Sequence, residues 1–91
     1  MTDIQEYLVN THKVYVEVNE DRMADGTLLP RSFVWEDGRR YTIDKIIDIR
    51  PAASLKAGGV GLRYTVAVRQ KEAYMFLEED HEVYRWFMER K

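Results

Sequence analysis

The chain has no cysteine, which excludes disulfides, thiolate metal sites and cysteine nucleophiles and fits a reducing compartment. Histidine is nearly absent too: only His12 and His81 occur, so little imidazole is on hand for acid–base work or metal ligation. No apolar run approaches the roughly 20 residues needed to cross a bilayer. The opening MTDIQEYLVN lacks the basic region and apolar stretch of a secretory leader, so a soluble, cytoplasmic protein without membrane association is expected.

What is present describes a globular domain. Of 91 residues, 45% are hydrophobic and 33% charged, a balance that disordered chains do not have. A chain of this length holds one core, so residues 12–91 are expected to form a single domain, preceded by a tail or short helix over residues 1–11. Thr2 and Gln5 stand at capping-box spacing there, with Ile4 and Leu8 on one helical face.

The formal net charge of −2 conceals a strong asymmetry. Residues 1–38 carry three basic and eight acidic side chains. Residues 39–71 carry eight basic and two acidic ones, and residues 72–91 are acidic again. Arg39, Arg40, Arg50, Lys56, Arg63 and Arg69 are therefore the candidate interaction residues. If their strands interleave with acidic ones, the charges neutralise one another. If they share a face, that face is basic.

Period-two patterning dominates. Lys13–Asn19 alternates Val14, Val16 and Val18 with Tyr15 and Glu17, and a polar turn over Glu20–Thr27 ends the strand. The acids of that turn lack the ligand spacing of a calcium loop. Pro30 marks the next strand start, and SFVWEDGRRYT reads as a hairpin. A three-residue loop with Gly38 left-handed pairs Phe33 with Tyr41 and gathers Phe33, Trp35, Tyr41 and Ile43 on one face. It is therefore preferred over a two-residue turn. Tyr41–Arg50 reads as one long strand with Tyr41, Ile43, Ile47 and Ile49 on one face and a bend or bulge between Lys45 and Ile47.

Leu62–Arg69 places Leu62, Tyr64, Val66 and Val68 inward. A turn at Gln70-Lys71 would pair Val66 with Met75 and Tyr64 with Leu77. Glu78–Glu82 reads as a loop, and Val83–Lys91 as a strand, with a helix as the competing pattern. The sum is a mainly β protein, a small five- to six-stranded antiparallel half-open barrel of SH3-like type.

The hairpin WEDGR, the loop RPAASLKAGG, the strand RYT and the closing RWF resemble a family of short uncharacterised bacterial proteins. The resemblance covers residues 12–91 and implies a bacterial domain of unknown function, with no mechanism attached.

No catalytic constellation is visible, and no cofactor or metal is expected. His81 with Glu79, Asp80 and Glu82 is a weak metal candidate, because adjacent loop residues rarely converge on one ion. Ser54 has no base beside it in sequence. LKAGGVGLR superficially resembles a phosphate loop, but no Lys-Ser/Thr follows, and it leads into a strand where a phosphate loop leads into a helix. It reads either as a plain connection or as a mobile basic loop. A non-catalytic protein-interaction module, using an edge strand or barrel groove, is the first expectation for function. A nucleic-acid-binding barrel using the basic segment 39–71 is the alternative, with Tyr74, Phe76 or Trp86 stacking bases if exposed. A small ligand binder or enzyme is the third. The oligomeric state is left open.

Overall fold

The computed structural model describes residues 13–53 and 60–90, so residues 1–12 and the tip of the glycine-rich loop, with Lys56, lie outside the described residues. Seven strands follow one another: β1 (Lys13–Arg22), β2 (Leu28–Val34), β3 (Arg40–Thr42), β4 (Lys45–Ala53), β5 (Val60–Val68), β6 (Lys71–Asp80) and β7 (Val83–Glu89). They form one antiparallel sheet in the order β3-β2-β1-β7-β6-β5-β4. Two features curl this sheet. β1 pairs with β7 through Lys13–Val16 and with β2 through Glu17–Arg22, so its two halves serve different neighbours. The end strands β3 and β4 are joined by only Ile43 and Asp44. Ile43 N–H donates to the Arg31 carbonyl (2.9 Å) and Asp44 N–H to the Ala67 carbonyl (2.8 Å), so the backbone leaves β2 and reaches β5 within two residues.

The fold is thus the expected small antiparallel half-open barrel, with seven strands in place of five or six. The added strand comes from the run Tyr41–Arg50, which the corner at Ile43-Asp44 divides. The expected bulge is present between Ile46 and Asp48. It turns Ile47 outward, leaving it 43% exposed, and Ile49 at the end of the sheet order is 37% exposed, so neither joins the core as expected.

The bulged hairpin is as expected. Phe33 pairs with Tyr41, Trp35 N–H donates to the Arg39 carbonyl (3.0 Å), and Gly38 has φ +79°. A left-handed residue is needed there to close the loop, and glycine supplies it without strain. Other boundaries shift. β1 runs on to Arg22 because Glu20–Arg22 pair with Leu28–Pro30 across the Met23–Thr27 turn. Pro30 is accordingly the third residue of β2, beside a bulge at Asn19/Glu20, where its missing N–H is tolerated.

The β5–β6 turn is Arg69-Gln70, with both φ positive (51° and 68°), so Tyr64 pairs with Met75 and Leu62 with Leu77. The expected register was two residues out, which kept every side chain on its correct face. β6 likewise continues through the supposed loop to Asp80, and His81-Glu82 repeats the same left-handed turn. Val83–Glu89 is a strand, as expected.

Inside lie Leu28, Phe33, Ile43, Tyr64, Val66, Met75, Leu77, Trp86 and Met88. Two polar tips reach partners from this interior. The Tyr64 hydroxyl donates to the Leu28 carbonyl (2.6 Å), and Trp86 Nε1–H donates to Glu20 Oε1 (2.6 Å). Tyr64 and Trp86 meet edge to face at 4.9 Å.

Candidate functional site

On a strand, every second side chain leaves the core. On the outer side of β1, β7, β6, β5 and β4, one unbroken cross-strand row results: Tyr15 opposite Phe87, Phe87 opposite Phe76, Phe76 opposite Arg63, Arg63 opposite Arg50. The rings are in contact. Phe76 and Phe87 stack at 4.9 Å with an 8° interplanar angle, and Tyr15 meets Phe87 edge-on at 5.8 Å. Cations lie over the rings. Lys13 Nζ is 4.6 Å from the Phe87 centroid, Arg85 Cζ 4.6 Å from Tyr15, and Arg63 Cζ 4.5 Å from Tyr74. Tyr15 (47%) and Tyr74 (50%) are half exposed.

The β1–β7–β6 end is held electrostatically. Glu78 accepts from the Tyr15 hydroxyl (3.0 Å), Arg85 (2.9 Å) and Lys13 (3.4 Å). Burial alone would raise the Glu78 carboxyl, but the Tyr15 hydrogen bond and the Lys13 charge outweigh it and hold it below the ordinary glutamate value.

The β4–β5–β6 end is open. A groove of about 520 Å³ runs there between Arg50, Pro51, Ala52, Arg63, Tyr74, Phe76 and Glu89. A smaller hollow of about 270 Å³ lies around Tyr84 and Trp86, with the Glu20–Trp86 hydrogen bond among its lining groups.

The candidate arginines therefore divide. Arg50 and Arg63 come together in the groove. Arg39, Arg40 and Arg69 lie by the β2–β3 hairpin instead: Arg69 Cζ is 4.9 Å from the Tyr41 ring, and Arg40 donates to Ser32 Oγ (3.0 Å) and faces Glu17 (3.8 Å). In that hairpin Asp37 caps the loop, accepting from Arg39 N–H (2.9 Å) and the Tyr41 hydroxyl (2.8 Å). The basic segment 39–71 is thus not one continuous face among the described residues.

Of the three candidate stacking aromatics, Tyr74 and Phe76 face the groove, whereas Trp86 is 5% exposed and belongs to the core. Among the described residues, no group of three or more His, Asp or Glu side chains could hold a metal ion. No helix among them is long and apolar enough to cross a membrane. Sequence reasoning missed Tyr15 and Phe87 as site residues. The available signal was that both occupy the outward positions of strands whose inward positions are apolar.

No protein-family model matches the sequence, and no curated protein or solved structure matches it either.

Proposed function

We propose that this protein is a non-catalytic protein-interaction module of the bacterial cytoplasm, an SH3-like small barrel that docks a partner polypeptide on the outer face of β1–β7–β6–β5–β4. The observation that carries this reading is the Tyr15–Phe87–Phe76–Arg63–Arg50 row, set beside an open groove. Tyrosine and arginine concentrate binding energy at protein interfaces, and phenylalanine is enriched there. Here ring contacts hold Tyr15, Phe87 and Phe76 against one another, so these side chains lose little freedom on docking. The bacterial and cytoplasmic setting rests on the motif resemblance and on the lack of cysteine.

Interleaved acids favour protein over nucleic acid. Asp48, Glu78 and Glu89 share this face with the cations, whereas a phosphate backbone needs a groove of one sign. Panning a displayed random-peptide library tests the reading. Enriched peptides are expected to bind the wild-type protein and to lose at least tenfold in affinity against Tyr74→Ala. Enrichment indifferent to Tyr74→Ala would overturn it. So would tighter binding of an oligothymidylate, weakening steeply with salt.

A further inference from the structure

Arg50 and Arg63 stand opposite each other in the β4–β5 ladder, a placement that brings like charges onto neighbouring strands. Their circumstances differ. Arg50 is exposed and ion-paired through Nε to Asp48 at 2.7 Å. Arg63 is half-buried and lies on the Tyr74 ring, with its Nε enclosed and lacking any hydrogen-bond partner. It also has no ion pair among the described residues. A buried N–H without an acceptor is costly, and such a donor calls for a partner, be it a ligand, a water or an ion.

We infer that the groove is a carboxylate pocket, which takes the side chain of one aspartate or glutamate from a partner polypeptide. The flat guanidinium fork of Arg63 matches a carboxylate in two-pronged fashion, and Arg50 stands opposite as a second donor. Nε is covered in the free protein, so the carboxylate reaches it as the guanidinium slides off the Tyr74 ring. Tyr74 and Phe76 then flank the apolar stem of the acidic residue. The terminal carboxylate of a polypeptide fits less well, because its capture uses free backbone N–H groups. At Arg63 strand β5 is paired on both sides, with β4 and β6. A run of phosphates fits less well too, since it needs a series of cations and Arg39, Arg40 and Arg69 lie elsewhere.

The inference rests on the protein-docking reading of this face, and nuclear magnetic resonance on the full-length protein tests it. The probes are the capped tripeptide Ac-Phe-Glu-Phe-NH2 and its glutamine counterpart. The glutamate probe is expected to shift the Arg63 Nε–Hε and Tyr74 ring signals saturably, with an apparent Kd on the order of 1 mM. The glutamine probe should bind at least tenfold more weakly. Arg63→Met should erase the difference between the probes. Arg50→Gln, at an exposed side chain that does not threaten folding, should weaken glutamate binding severalfold. Equal binding of the two probes, a preference that survives in Arg63→Met, or an unmoved Arg63 signal at about 10 mM probe overturns the pocket. So does an octathymidylate that binds Arg63 more tightly than the glutamate probe and weakens more than tenfold from 50 to 200 mM salt.

Its failure is distinguishable from that of the docking reading. Panned peptides that need Tyr74 but neither an acid nor Arg63 sink the pocket and keep the docking face. A groove that selects glutamate while panned peptides bind elsewhere keeps the pocket and sinks the docking face.

Discussion

Tyr64 and Arg63 are neighbours on β5 and live under opposite rules. Tyr64 points inward, is 0% exposed, and has its hydroxyl matched to the Leu28 carbonyl. Arg63 points outward, spreads over a half-exposed ring, and keeps a buried donor without an acceptor. The same alternation holds on β6, with Met75 and Leu77 inside and Tyr74 and Phe76 outside. One set of strands thus carries two surfaces of similar residue size. The inner surface is fully matched and stabilises the fold. The outer one leaves the Arg63 Nε–H unmatched among the described residues.

The sharpest way to break this comparison is to empty the inner face. Tyr64→Ala removes the largest fully buried side chain and leaves a cavity against Trp86. The expected loss is about 3–5 kcal/mol, measured by urea denaturation. A domain of this length has a total stability of only roughly 5–14 kcal/mol, so this one change removes a large part of it. A loss below about 1 kcal/mol would show that the inner face is not the stabilising one.

A finer cut on the same face is Tyr64→Phe, which keeps the ring and strands the Leu28 carbonyl. The expected cost is about 1–2 kcal/mol. It also carries a signature in pH. Burial raises the Tyr64 hydroxyl above its ordinary value of 10.0, and the nearby Glu20 charge adds to this. The folded state therefore holds this proton more tightly than the unfolded one. That contribution is complete below pH 10.0 and is lost as pH rises toward the folded value. Tyr64→Phe should flatten the alkaline limb of the stability profile, and an unchanged limb would assign it to another group.

The two surfaces were not equally legible in the sequence. The inner one was, because Leu62, Tyr64, Val66 and Val68 alternate without interruption and Asp37-Gly38 announces its own turn. The β5–β6 register was not, because its left-handed turn is built from Arg69 and Gln70. Neither residue advertises positive φ as glycine or asparagine would. His81-Glu82 hides the next turn in the same way. The outer row depends on four strand registers, and those are two of them. Arg50 and Arg63 could be selected for charge alone, but Tyr15 meets Phe87 only once the first strand is laid against the last. That pairing is long-range, and local pattern carries no record of it.

On the outer face, substitution should run the other way. Arg63→Met keeps the length of the side chain and a polarisable contact with Tyr74, while deleting the unmatched Nε–H. The lost cation–π contact, about 0.5–1 kcal/mol, opposes the relief of a buried donor worth somewhat more. Stability should hold or rise by up to about 1 kcal/mol, read as an unchanged or higher denaturation midpoint. A clear loss would mean that Arg63 belongs to the fold, and the contrast with Tyr64 would collapse.

The smallest effect should come from Glu78, an outer-face acid with three partners at once. Glu78→Gln can still accept from the Tyr15 hydroxyl but no longer attracts Lys13 and Arg85. These pairs are partly buried, and their Coulombic gain is offset by lost hydration, so the informative quantity is how the difference from wild type changes with acid. The folded carboxyl lies below its ordinary value of 4.5. Its contribution is therefore present above pH 4.5 and disappears as pH falls through the folded value. Asp25 and Asp37 are also held low, each chiefly by a backbone N–H two residues on, from Thr27 and Arg39 respectively. They act alike in both proteins and cancel. The melting-temperature gap between wild type and Glu78→Gln should accordingly be small at pH 7 and close on acidification. A gap that stayed constant down to pH 3 would mean that Glu78 acts through shape alone, and that the Tyr15–Phe87 end of the row is packed and not charged into place.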